Sequence, residues 1–102
     1  MNKVYNLLGL ANRAGKVAWG YRAVLSNVAR RRVSLVILAE DGSPRLHSKI
    51  LAACREADIE VCVLGDKKNM GAALGKPPCA VVGITDLELA RLIRQHVREV
   101  DA

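Results

Sequence analysis

The run Val33-Ser34-Leu35-Val36-Ile37-Leu38-Ala39 constrains the chain more than any other stretch. It is short, almost wholly apolar and rich in β-branched residues, and it stops abruptly at Glu40-Asp41-Gly42-Ser43-Pro44. A strand with one wet face alternates apolar and polar residues, so an unbroken run predicts a strand covered on both faces. Two more runs, Val61-Cys62-Val63-Leu64 and Ala80-Val81-Val82-Gly83-Ile84, each lead into a turn residue and then a helical pattern. The repetition predicts a layered α/β domain with helices on two sides of a sheet.

With 102 residues, 51% of them apolar, residues 1–102 suffice for one domain with one core and no staples. The apolar runs fall far short of the roughly 18 residues of a membrane span, and no signal-peptide pattern opens the chain, so no membrane partner is expected. Cys54, Cys62 and Cys79 each lie inside an apolar segment and form no C-x-x-C pair. This predicts buried, reduced thiols in a cytoplasmic protein, with no zinc site. The glycines at 65, 71 and 75 lack the G-K-[ST] ending of a phosphate-binding P-loop, and no cofactor is expected.

Charge is unevenly spread. Met1 to Ala39 holds Lys3, Arg13, Lys16, Arg22, Arg30, Arg31 and Arg32 against no acid, whereas from Glu40 onward nine bases meet ten acids. The whole net charge of +6 thus belongs to the first part of the chain. Gathered on one face, those cations would attract a polyanion, of which nucleic acid is the commonest.

Asn2 can cap a first helix carrying Val4, Leu7, Leu8, Ala11 and Ala14 at helical spacing, with Gly15 as its left-handed close. Val17-Ala18-Trp19 is a brief extended piece before Gly20. A second helix is expected from Tyr21 to Arg31, with Tyr21, Val24, Leu25 and Val28 inward. Because it begins at a glycine, its first backbone N–H groups stand open to a phosphate, and Arg22 in that turn opposes the helix dipole unless an anion binds. Arg30-Arg31-Arg32 closes the helix and answers the dipole's negative end.

Ser43-Pro44 is an N-cap followed by proline at the first helical position, and Leu46, Ile50, Ala53, Cys54 and Ala57 follow at core spacing. Glu40-Asp41 has no histidine or nucleophile beside it, so turn chemistry is expected there rather than catalysis. His47 and His96 stand on helices without a partner motif. A short helix carries Met70, Ala73 and Leu74, and Gly75-Lys76-Pro77-Pro78 ends it in a stiff loop. Thr85-Asp86-Leu87-Glu88 reads as a capping box for a last helix with Leu89, Leu92, Ile93, Val97 and Val100 inward and Arg91, Arg94 and Arg98 outward.

Four segments carry a resemblance in order and spacing. They are Leu8-Gly9-Leu10-Ala11-Asn12-Arg13-Ala14-Gly15-Lys16, then Gly20, then Leu35-Val36-Ile37-Leu38-Ala39-Glu40-Asp41, then Met70-Gly71-Ala72-Ala73-Leu74-Gly75-Lys76. Nearly the whole chain thereby resembles the bacterial YlxQ-like branch of the ribosomal protein L7Ae and L30e superfamily. The resemblance implies an L30e-like, three-layer α/β/α sandwich with a mixed four-stranded sheet. It also implies a non-catalytic, RNA-binding protein associated with ribosomes or translation, with structured RNA as partner and ribosomal or translation proteins as further ones.

Relatives of this superfamily bind folded RNA, many of them at kink-turns, through the start of the second helix and the loop before the last strand. Carried over, these regions are Gly20, Tyr21, Arg22, Ala23 and Ser26, and Lys76, Pro77 and Pro78. Lys16 and Arg30 join them as phosphate contacts. Kink-turn readers commonly present an Asn-Glu pair and a lysine on this helix, where this chain has Arg22, Ala23 and Ser26. That departure points to folded RNA of another or looser kind. The aromatics are Tyr5, Trp19 and Tyr21 alone, too few for the stacking platforms of RRM or OB modules.

The protein is expected to act as a monomer. Two other functions stay open on sequence grounds: a protein-interaction adaptor using the Arg91, Arg94 and Arg98 row, and a small-ligand or receiver-like α/β domain.

Overall fold

The computed structural model describes the backbone of residues 2–101 and the side chains of residues 3–98. The elements in order are α1 (Asn2–Arg13), β1 (Val17–Trp19), α2 (Tyr21–Ala29), β2 (Leu35–Leu38), α3 (Pro44–Ala57), β3 (Val61–Val63), α4 (Lys67–Leu74), β4 (Val81–Ile84) and α5 (Leu87–Asp101). The strands lie in the order β1-β4-β2-β3. β4 is antiparallel to both neighbours, pairing Ile84 with Val17 and with Leu35, while β2 and β3 run parallel with Val36 opposite Val61.

The expectation for the opening run holds, because all four residues of β2 are buried. Leu35 and Ile37 join Val4, Leu8, Met70, Leu74, Ala90 and Ile93 in one core. Val36 and Leu38 face the other way, into a second core with Val24, Val28, Ile50 and Cys54. The alternation that water imposes on a half-exposed strand is thus replaced by alternation between two dry layers, α1, α4 and α5 on one side and α2 and α3 on the other. This is the three-layer α/β/α sandwich with a mixed four-stranded sheet that the resemblance implies. Cys54 and Cys79 are buried thiols whose ionisation burial pushes up, which keeps them protonated and unreactive.

Several local expectations are corrected. The first helix takes in Asn2 itself, and the Asn2 side chain, like that of Val100, lies outside the described residues. α2 ends at Ala29, two residues early, because Arg31 turns left-handed at φ 56. Its guanidinium Nη1 then donates to the Ala57 carbonyl at 3.1 Å, satisfying one of the last carbonyls of α3. The short helix begins at Lys67, where Asp66 caps it through the Asn69 N–H and Asp41 accepts from the Lys67 N–H at 2.9 Å. Asp41 is therefore a helix-capping acid, in keeping with its reading as turn chemistry.

On α5 the inward face is Ala90, Ile93 and the half-buried Leu89 and Val97; Leu92 is 41% exposed. Arg94 is half-buried instead of outward. Its Nε lies 2.6 Å from Glu60 Oε1, an ion pair held by proximity without an aligned hydrogen bond. The proposed arginine row is thereby broken.

The cap of α5 is Asp86, which accepts from the Leu89 N–H at 2.9 Å, and Glu88 pairs with Arg91 in place of closing a capping box on Thr85. Asp86→Ala should therefore lower stability by about 1 kcal/mol, whereas Thr85→Ala should stay within about 0.5 kcal/mol of the parent in denaturant unfolding. The reverse order would restore Thr85 as the cap.

Candidate nucleic-acid interface

Direction along the sheet decides what meets what. β1 and β2 run the same way and β4 runs against both, so the ends of β1 and β2 and the beginning of β4 share one edge of the molecule. α2 starts from that edge after β1, α3 starts from it after β2, and the α4–β4 loop arrives at it.

Gly20 is the N-cap of α2 at φ 91, ψ 167, a conformation open essentially to glycine alone, and its N–H donates to the Val81 carbonyl at 3.2 Å. The other described helix starts carry a side-chain cap: Ser43 on α3, Asp66 on α4 and Asp86 on α5. α2 has none, and Arg22 projects from its first turn into solvent.

Lys76 is carried to the same place by the loop. Gly71 allows this: a Cβ there would stand 2.7 Å from the Pro77 carbonyl carbon and 2.9 Å from the Lys76 oxygen, so the loop backbone lies directly on α4. The Lys76 N–H donates to the Gly71 carbonyl at 2.9 Å, and the Cys79 N–H to the Lys67 carbonyl at 3.0 Å. With two consecutive prolines, the exposed Lys76-Pro77-Pro78 segment is fixed at both ends and stiff between them. The Lys76 ammonium sits 5.4 Å from the centroid of the Trp19 indole, immediately before Gly20.

Gly20, Tyr21, Arg22, Lys76, Pro77 and Pro78 are thus brought together. Ala23 is half-buried against the second core, and Ser26 is exposed a turn further along α2. Lys16 and Arg30 are not brought to this edge. Lys16 precedes β1, and its carbonyl accepts from the Thr85 N–H at the far edge of the sheet. At about 3.3 Å per strand residue it lies roughly 13 Å from Gly20. Arg30 closes α2 at that same far edge, near a recess lined by Gly15, Asn27, Arg32 and Thr85. The basic first part of the chain therefore divides between two opposite edges.

Sequence reasoning missed three residues. Arg45 and Lys49 of α3 line an open groove of about 330 Å³ with Tyr21, Ser43 and Leu46, which adds two cations beside the start of α2. Trp19 is the third. The Ser43-Pro44 cap signalled where α3 begins; the parallel course of β1 and β2, which sets that beginning beside α2, has no local signal.

The acids lie elsewhere on the edge, with Glu40 and Asp41 after β2 and Asp66 after β3. The hydroxyl pKa of Tyr5 is raised by burial first, and also by the charges of Asp66, Glu40 and Asp41 around it. Along β1, β4, β2 and β3 the edge thus carries Arg22 and Lys76 at its β1–β4 end and Glu40, Asp41 and Asp66 at its β2–β3 end, where the exposed Lys67 and Lys68 open α4. Among the described residues no cluster of three or more His, Cys, Asp or Glu side chains could hold a metal, and no helix is long and apolar enough to cross a membrane.

Comparison with known proteins agrees with this architecture. Residues 2–94 match the Ribosomal protein L7Ae/L30e/S12e/Gadd45 family. The RNA-binding protein YlxQ of Bacillus subtilis (strain 168) is 34% identical over 82 residues, which are 80% of this chain and 82% of that one. That of Enterococcus faecium is 27% identical over 95 residues, covering 93% and 91%. A solved protein of unknown function from Bacillus halodurans C superposes with a TM-score of 0.92 at 33% identity, covering 96% of this chain and 99% of the other. A family match over nearly the whole length and relatives aligned almost end to end leave one assignment: the chain belongs to the Ribosomal protein L7Ae/L30e/S12e/Gadd45 family, in its YlxQ-like branch.

Proposed function

We propose that the protein is a non-catalytic module that binds structured RNA, acting as a cytoplasmic monomer associated with ribosomes or translation. The observation that carries this reading is the meeting of an uncapped α2 start with Arg22, Lys76, Arg45 and Lys49 at one sheet edge. Backbone N–H groups aligned at a helix start, flanked by cations on rigid supports, suit the phosphates of a folded ribose-phosphate chain. That the YlxQ relatives are RNA-binding proteins supports the class of ligand.

Ala23 offers no acceptor for a guanine edge, and its half-buried methyl group packs inward. Ser26 carries no cation. Both favour RNA recognised by shape and backbone over a tightly read kink-turn. The test is a binding titration of folded RNAs against salt. With about four phosphate contacts, affinity should fall roughly a hundredfold between 50 and 200 mM salt. A kink-turn RNA should gain less than about tenfold over another stem with an internal loop, a difference below one bidentate base contact. Salt-independent binding, or none, would remove the proposal.

A further inference from the structure

Trp19 is the sole tryptophan of the chain, and it is 38% exposed at the end of an edge strand. Neither core accounts for it: Val17 packs into one and Ala18 into the other, whereas the indole belongs to neither cluster. What lies over it is the Lys76 ammonium. An ammonium over an exposed indole is held only weakly, more weakly than a nucleobase stacked on the same ring. The pair is therefore displaceable by a base, and the displaced cation is free to move to that nucleotide's phosphate.

We propose that Trp19 and Lys76 form a subsite for one unpaired nucleobase of the bound RNA; this rests on the RNA-binding reading above. Three features set the subsite up. Gly20 follows directly, and a Cβ there would meet nothing within 4 Å, so no neighbouring atom crowds the backbone that leads on from the exposed indole. Pro77 and Pro78 hold the backbone that presents Lys76, which limits the freedom lost when a ligand settles. The α2 start lies just beyond Gly20, so a phosphate at the helix and a base on the indole can come from neighbouring nucleotides. Of the two aromatics beside the start of α2, Tyr21 packs against the second core while the Trp19 indole belongs to neither, which distinguishes the surface from a stacking platform of several free rings. Because every base has a π-face, the subsite selects an unpaired base and not a particular one. Bases inside an A-form duplex are already stacked and cannot reach it.

The single tryptophan makes the test direct. A hairpin RNA carrying a one-nucleotide bulge should quench the intrinsic fluorescence of the full chain at saturation, and a fully paired hairpin of equal length should not. Trp19→Leu, which keeps apolar bulk without a π-face, should weaken binding of the bulged RNA about tenfold and leave the paired RNA unaffected. Trp19→Phe should stay within about threefold of the parent, separating loss of stacking from loss of fold. Lys76→Gln should lower the slope of log affinity against log salt by about one. Bulged RNA bound equally by the Trp19→Leu protein, or quenching that is the same with both hairpins, would overturn the subsite and leave the RNA-binding reading intact. Failure to bind either hairpin would overturn both.

Discussion

Gly71→Ala should lower the stability of the protein by about 3 kcal/mol, the upper end of the usual range for overpacking, and weaken RNA binding with it. The added methyl group meets backbone, not a movable side chain: the Lys76 oxygen and the Pro77 carbonyl group occupy its place. Prolines on the far side of the contact restrict how the loop can yield. Relief must come from lifting the whole segment off α4, which breaks the Lys76-to-Gly71 hydrogen bond and carries Lys76 away from Trp19. For a chain of this size such a loss corresponds to a fall in Tm of about 10 °C or more. Ala72→Ser, one residue along on the exposed face of the same helix, should change stability by less than about 0.5 kcal/mol. Thermal and denaturant unfolding of the two variants makes the comparison, and coincident melting of Gly71→Ala with the parent would show that the loop does not lie on α4 as described.

The second large effect is the charge reversal Arg22→Glu. Removing one charge-assisted contact to phosphate should weaken RNA binding roughly 10- to 100-fold, and the introduced carboxylate adds repulsion. The fold should respond in the opposite direction. Arg22 sits at the positive end of the α2 dipole, where an acid is favourable, so the variant should gain about 0.5 kcal/mol in unfolding stability. Weaker binding by a more stable protein cannot be attributed to misfolding.

Lys16→Glu and Arg30→Glu change the sequence charge equally but act at the far edge. At roughly 13 Å of strand length their field at the α2 start is screened at 0.1 M salt, where the Debye length is about 10 Å. Each should alter affinity by less than about threefold at that ionic strength. If the far-edge variants lose as much as Arg22→Glu, the RNA contacts both edges and the single-edge interface fails.

How far these features could be read without coordinates differs from element to element. The two-faced burial of β2 was legible because nothing but a covered strand tolerates Leu35-Val36-Ile37-Leu38 in succession. The start of α2 was legible because Gly20 and Arg22 are a local pattern. The face of α5 was misread at Leu92 and Arg94, since apolar size was weighed above position. Ala90 and Ile93 fix the inward line, and Arg94, four residues after Ala90, falls on its flank where a long stem reaches Glu60. Thr85 and Asp86 are both good caps, and the choice between them depends on where β4 releases the chain. Lys16 and Arg22 looked like neighbours because sequence distance is a poor guide across a strand, whose extended backbone carries its two flanks to opposite edges.

The strand order has a consequence for when the binding surface comes into being. β1 finds its hydrogen-bonded neighbour in β4, so Trp19 meets Val82 only after almost all of the chain between them has been made and folded back. Closing so long a loop is entropically slow, and it is not rewarded until the distant pairing forms. On a translating ribosome the helix start at Gly20 emerges early and waits, without its companion loop, until residues 76–84 have cleared the exit tunnel. The edge that carries Trp19, Arg22 and Lys76 is thereby incomplete until β4 has been made and paired with β1.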